Sequence, residues 1–201
     1  MSADKDYLSL PLRTFVADLA AKRPTPGGGS VAAMAGLLAA AQARMVVEYT
    51  VGKPKFAAYE KKLREALGEL ERAEAAFAEL MSEDMAAYER LAASCKAGDP
   101  AEQQQAVATA TAVPMEITAM AGAVLALLDG LKECVNPYLL GDLKVAAIMS
   151  LAAAQSAAVN VEVNLRDLAD GSEVERVNKE MTRILEKAYD HRNSVLNQRA
   201  S

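Results

Sequence analysis

The chain has 201 residues, a formal charge of −5, one histidine, two cysteines and no tryptophan. That length suits one domain, 1–201, able to bury a core without staples. The acid excess excludes the basic face that a nucleic-acid binder needs. Cys95 and Cys134 make neither a disulfide framework nor a metal motif, and read as reduced, buried thiols of a cytoplasmic protein. The first ten residues, MSADKDYLSL, lack the basic and apolar regions of a signal peptide. Val31–Ala41 is too short to span a bilayer. Val145–Val161 is interrupted by Ser150, Gln155, Ser156 and Asn160, so it reads as a buried helix and the chain as soluble, with no membrane partner.

Helix formers dominate and aromatic residues are only 4%, which points to an all-α single-domain bundle of about six helices. Tyr7–Lys22 places Leu8, Leu12, Phe15, Val16 and Leu19 on one stripe. After Pro24-Thr-Pro-Gly-Gly-Gly29, a second helix runs from Ser30, a plausible N-cap, to Val51. The turn at Lys53–Phe56 leads to a long, charged, amphipathic third helix, Ala57–Ser94, with Gly68 its weak point. Asp99 and Pro100 open a fourth, Ala101–Glu133, which Pro114 should kink or interrupt. Asn136-Pro137 opens the fifth, to about Leu168. Within it Val159–Leu165 alternates like a strand, but a lone strand would lack a partner, so helix is preferred. Gly171-Ser172 starts the sixth, to about Asn197. The second and fifth helices carry small residues at three- and four-residue intervals, which allows close backbone approach, so they should be long central helices. Flat apolar faces on such a bundle predict a dimer.

The string Pro24-Thr-Pro-Gly-Gly-Gly-Ser30, with Gly27, Gly28 and Gly29 at its centre, is the most unusual. Glycines before a helix permit positive φ and close ligand approach, and the helix start offers free N–H groups to an anion; a plain interhelical turn explains them equally well. No Gly-Lys-Ser/Thr follows, so this is not an NTPase phosphate loop. Lys53 and Lys55 fit either a carboxylate-binding turn or ordinary helix-end charges. Asp84 and Tyr88 lie one turn apart on a charged face, and nothing local distinguishes Asp84 from Glu83. Asp142 introduces the most apolar helix, where an unpaired carboxylate is costly. Asn160, Asn164 and Asp167 share one face, as helix-to-helix hydrogen-bonding groups or as the wall of a polar cleft. His191 sits on the charged last helix and should face solvent. One histidine and two distant cysteines do not make a metal centre, and no Ser–His or Cys–His arrangement is evident.

Taken together, these strings resemble the cyclodeaminase/cyclohydrolase family. This is the family of the C-terminal domain of formiminotransferase-cyclodeaminase and of stand-alone methenyltetrahydrofolate cyclohydrolases. The resemblance rests on Ser9–Phe15, Pro24–Ala33, Thr50–Phe56, Asp84 with Ala87-Tyr88, Val113-Pro114, Gly141–Ala147 and Asn160–Asp167. It covers nearly the whole chain, with one departure: Gly141 stands where the family pattern has serine. It implies an all-α dimer with no metal or redox cofactor, acting on a one-carbon derivative of tetrahydrofolate. Two reactions follow, hydrolysis of 5,10-methenyltetrahydrofolate to 10-formyltetrahydrofolate, or cyclisation of 5-formiminotetrahydrofolate with loss of ammonia. The lack of a formiminotransferase segment favours the first. Both pass through a tetrahedral carbon between two nitrogens and need a proton carrier beside it. The resemblance points to Asp142 for that role, with Asp84 second. Gly27, Gly28, Gly29, Ser30, Lys53, Lys55, Asn160 and Asn164 would hold the substrate. A non-catalytic folate-binding subunit and a helical interaction protein are the rivals from other classes.

Overall fold

The structure is a computed structural model that describes residues 5–199, so the first four residues of the signal-peptide reading lie outside it. Regular structure among these residues is helical throughout. The helices are α1 (Leu12–Leu19), α2 (Gly28–Glu48), α3 (Glu60–Ala97), α4 (Pro100–Leu131), α5 (Leu140–Leu165) and α6 (Gly171–Asn197), with short 3-10 turns at Tyr7–Ser9, Pro54–Tyr59 and Pro137–Leu139. α2 packs on α3 and α5, and α4 packs on the same two, which closes a four-helix ring; α6 lies over α4 and α5. The alternating Val159–Leu165 segment is the last two turns of α5, as partnerless strand logic requires.

The register of α3 sets the core. Leu63, Leu70 and Phe77 recur every seven residues and are fully buried, while Ala66, Ala73, Leu80 and Ala87 fill the companion positions. Opposite them, a methyl group on Gly36 of α2 would lie 2.4 Å from the Phe77 ring, so only glycine lets the two helices approach this closely. Asp99 and Asp170 cap α4 and α6 by accepting from the first backbone N–H groups of each, and Pro100 takes the first helical position.

Several expectations change. Pro11 ends the first 3-10 turn, and α1 is only eight residues long. Of its apolar stripe only Phe15 is buried; Leu8, Leu12, Val16 and Leu19 face outward. Pro114 does not interrupt α4. Proline has no N–H for the carbonyl of Ala110, four residues back, and Asn164 on α5 replaces it, its Nδ2 donating to Ala110 O at 2.6 Å. Cys95 is exposed, and Cys134 is buried in a turn rather than a helix. His191 is partly covered, with Nδ1 2.9 Å from Asp129 Oδ2, so it ties α6 to α4. By length and composition α2, α4 and the Pro137–Leu165 segment are each apolar enough to cross a membrane, against the expectation for Val31–Ala41 and Val145–Val161 within the first and third of them; about half of each apolar window is buried against neighbouring helices.

Candidate active site

The start of α2 is wedged between α3 and α5. Its N-cap is Gly27, with φ −128°, and no side chain caps it. Ser30, the expected cap, is already inside the helix and fully buried. Its hydroxyl instead donates to Asp84 Oδ2 across 54 positions of sequence, at 2.8 Å, and its backbone N–H also meets the carboxylate. The glycines are present for closeness rather than for backbone freedom: positive φ belongs to Gly52 and Gly98. A methyl group on Gly29 would lie 1.9 Å from Asp84 Oδ1, and one on Gly28 2.9 Å from Asn160 Oδ1. Gly27 has open space where a side chain would go.

Asp84 therefore falls in the seven-residue core register of Leu63, Leu70 and Phe77, a carboxylate where an apolar side chain belongs. Burial raises its pKa above the usual carboxylate value, and the two donors on Ser30 oppose that rise only in part. Its protonated form is thereby favoured more than in an exposed carboxylate, which suits a group that accepts a proton and gives it back. Asn160 Nδ2 is held by Ser156 O of its own helix at 2.8 Å, which turns Oδ1 toward the backbone of Gly28. Tyr88 stands one turn from Asp84 on α3 and is exposed.

The other expected residues lie elsewhere. Asp142 accepts from Gln42 Nε2 at 2.9 Å near the far end of α2, and 18 residues of α5 separate it from Asn160, about 27 Å of helix. Lys53 and Lys55 sit exposed at that same far end, where Asn136 N donates to Thr50 Oγ1 and joins two turns. Asn164 bonds the carbonyl that Pro114 leaves free, a structural contact, and Asp167 lies beyond the end of α5. Gly141 has open space where a side chain would point, so the serine of the family pattern would fit without rearrangement. Among the described residues no three of His, Cys, Asp and Glu converge as a metal-binding group. A hollow of about 350 Å³ between α3 and α4, beside Arg90, Ser94 and Glu102, is lined by neither Asp84 nor Asn160.

The profile of the formiminotransferase-cyclodeaminase family matches residues 11–183, from α1 well into α6. The chain belongs to this family. It is 32% identical over 186 residues to methenyltetrahydrofolate cyclohydrolase of Methylorubrum extorquens, covering 88% of this chain and 89% of that one. It is 29% identical to formimidoyltransferase-cyclodeaminase of Rattus norvegicus over 194 residues, but spans only 36% of that protein's length. The crystal structure of formiminotetrahydrofolate cyclodeaminase from Thermotoga maritima superposes with a TM-score of 0.83 at 30% identity, over 94% of this chain and 93% of that one. In this chain the glycine string and Asp84 meet at one end of the helical ring.

Proposed function

We propose that this protein is a folate one-carbon enzyme, a methenyltetrahydrofolate cyclohydrolase, acting as a homodimer in the cytoplasm without a metal or redox cofactor. The observation that carries the reading is the desolvated Asp84 carboxylate, held by Ser30 against the open start of α2. The substrate's amidinium carbon is cationic, and a carboxylate beside it attracts the charge and takes a proton from the attacking water. The new C–O bond makes a tetrahedral carbon. The bond to N5 then breaks as Asp84 returns its proton to N5, the hydroxyl on the tetrahedral carbon releases its proton to solvent as C=O forms, and the carbon remains on N10 as a formyl group. Asp84, rather than Asp142, is the proton carrier, because burial raises its pKa and favours its protonated form, and the free backbone of Gly28 and the Asn160 amide lie within reach to orient a polar ring.

The near-full-length likeness to the Methylorubrum cyclohydrolase supports the hydrolytic direction. The Thermotoga cyclodeaminase structure favours a second reading, ring closure of 5-formiminotetrahydrofolate with release of ammonia, which the same carboxylate serves by protonating the departing nitrogen. Purified protein is offered each substrate while the methenyl absorbance is followed. Loss of absorbance from the methenyl compound supports hydrolysis, and its appearance from the formimino compound supports cyclodeamination. No change with either refutes the enzyme reading, and binding without turnover would leave a folate-binding subunit.

A further inference from the structure

The hollow between α3 and α4 lies beside the turn that joins them, where α3 ends at Ala97 and α4 begins at Pro100. Its volume of about 350 Å³ falls at the small end of the range of ligand pockets, about 300–1,000 Å³, and suits a molecule of amino-acid size. Three lining positions are alanine, Ala93 and Ala97 on α3 and Ala106 on α4, which leaves space that longer side chains would fill. Two opposite charges line the same hollow, Arg90 from α3 and Glu102 from α4.

These two charges do not meet. Among the described residues neither enters an ion pair, so more than 4.0 Å separates guanidinium from carboxylate. Elsewhere on the exposed helix faces opposite charges pair off, Arg64 with Glu60, Arg176 with Glu173 and Arg183 with Glu180. Arg90 uses only its Nε, on the Ala86 carbonyl at 3.4 Å, which leaves both Nη groups as donors. Two hydroxyls line the hollow as well. Ser94, 6% exposed, donates to Leu91 O at 2.9 Å, and Thr109 donates to Gln105 O at 3.1 Å. Each oxygen keeps lone pairs for a further donor.

We propose that this hollow is an effector site for an aliphatic α-amino acid, whose carboxylate binds Arg90, whose ammonium group binds Glu102 and whose side chain covers the alanines. A guanidinium holds a carboxylate through two parallel bonds, and an ammonium group has three donors to share between Glu102 and a hydroxyl oxygen. The folate substrate is not the occupant: its glutamate end carries carboxylates alone, which Glu102 repels, and neither Asp84 nor Asn160 lines the hollow. Arg90 nevertheless follows Asp84 by six residues of α3, about 9 Å of helix. A ligand that bridges Arg90 and Glu102 ties the last turns of α3 to the first turn of α4 across the Gly98 turn, and so steadies the helix that carries the buried carboxylate.

The experiment measures binding to the full chain by isothermal titration calorimetry, with L-leucine as probe. Its two half-ligands, 4-methylpentanoate and 3-methylbutylamine, keep the aliphatic group and one charge each. L-leucine should bind once per chain, and each half-ligand at least tenfold more weakly. Arg90→Gln and Glu102→Gln, both at exposed positions, should each weaken L-leucine by about tenfold or more. Ala106→Leu fills the hollow with both charges intact and should abolish binding, with circular dichroism as the control for folding. In hydrogen exchange, the amides of residues 90–97 should be protected several-fold by L-leucine. No binding of L-leucine, half-ligands that bind as tightly as the whole, or charge variants that bind unchanged overturn the site. Exchange unaltered by bound L-leucine overturns the clamp on α3. No arm needs turnover, so the outcome is independent of the folate reading.

Discussion

Replacing the three glycines before Ser30 by alanine, one at a time, should produce a steep gradient. At Gly29 a methyl carbon would stand 1.9 Å from Asp84 Oδ1, against 3.4 Å for the near edge of ordinary contact, an overlap of about 1.5 Å. The side chain of Asp84 is the softest element in that contact, so it swings away and gives up its bond to Ser30 while the helices stay in place. A displacement of about 1 Å at a reacting group costs about 10²-fold in rate, so kcat of Gly29→Ala should fall at least that far. Stability should change much less. Strain of about 1–3 kcal/mol is offset by about 1 kcal/mol of helix propensity gained over glycine, which limits the loss in Tm to about 8 °C. Gly28→Ala meets Asn160 at 2.9 Å, a few tenths of an ångström inside contact, and should weaken KM more than kcat. Gly27→Ala meets open space and should keep its turnover. Steady-state kinetics on folded variants, with circular dichroism as the control, decide the matter. A Gly29→Ala enzyme with unchanged kcat, or equal losses at all three positions, would refute the wedge of α2 against Asp84.

Asp84→Asn should lower kcat by about 10²-fold or more yet raise Tm at neutral pH. A folded-state pKa above the unfolded value means that stability falls as pH rises through that window, so the gain over wild type should vanish below about pH 3.8. Asn164→Ala orphans the Ala110 carbonyl and should destabilise by about 1–3 kcal/mol. On a Pro114→Ala background the new N–H meets that carbonyl, and a double-mutant cycle by urea unfolding should show the loss shrink. Asp129 is held at about 2: burial opposes the shift, but hydrogen bonds from Lys132, Ser194 and His191 outweigh it. Its stabilising effect is present above about pH 3.8 and lost as the pH falls toward 2, so Asp129→Asn should lower Tm at pH 7 and match wild type near pH 2.

Helix order was legible because the punctuation is local. Asp99-Pro100 and Asn136-Pro137 each act within three residues of themselves, and Gly171-Ser172 marks the start of α6, whose cap is the preceding Asp170. The Ser30 cap was misread because its hydroxyl is claimed by a residue on another helix, which no local rule anticipates. The α1 stripe was misread because spacing alone does not say whether a neighbour exists to cover it. The sequence holds two further signals. The seven-residue run of Leu63, Leu70 and Phe77 arrives at Asp84 and not at Glu83, so the core register alone sets that carboxylate apart. A proline inside a helix leaves a carbonyl that needs a donor, and Asn164 was the amide at hand. Asp142 drew attention for its apolar setting, but a single chain places it far from the glycine string, a separation invisible until the helices are paired.

Asp18 accepts from Lys5 at 2.5 Å, from the Tyr7 hydroxyl at 2.9 Å and from Arg23 at 2.8 Å, and these bonds, the Lys5 bond first, lower its pKa despite its burial. Arg23 immediately precedes Pro24, so one carboxylate knots Lys5 and Tyr7 to the loop that aims Gly28 and Gly29. The leading segment is thus a guy-rope on the site rather than a loose end. Trimming the chain past Tyr7, or attaching a tag that draws Lys5 away, would slacken a loop some twenty residues downstream while leaving every residue of the helical ring intact.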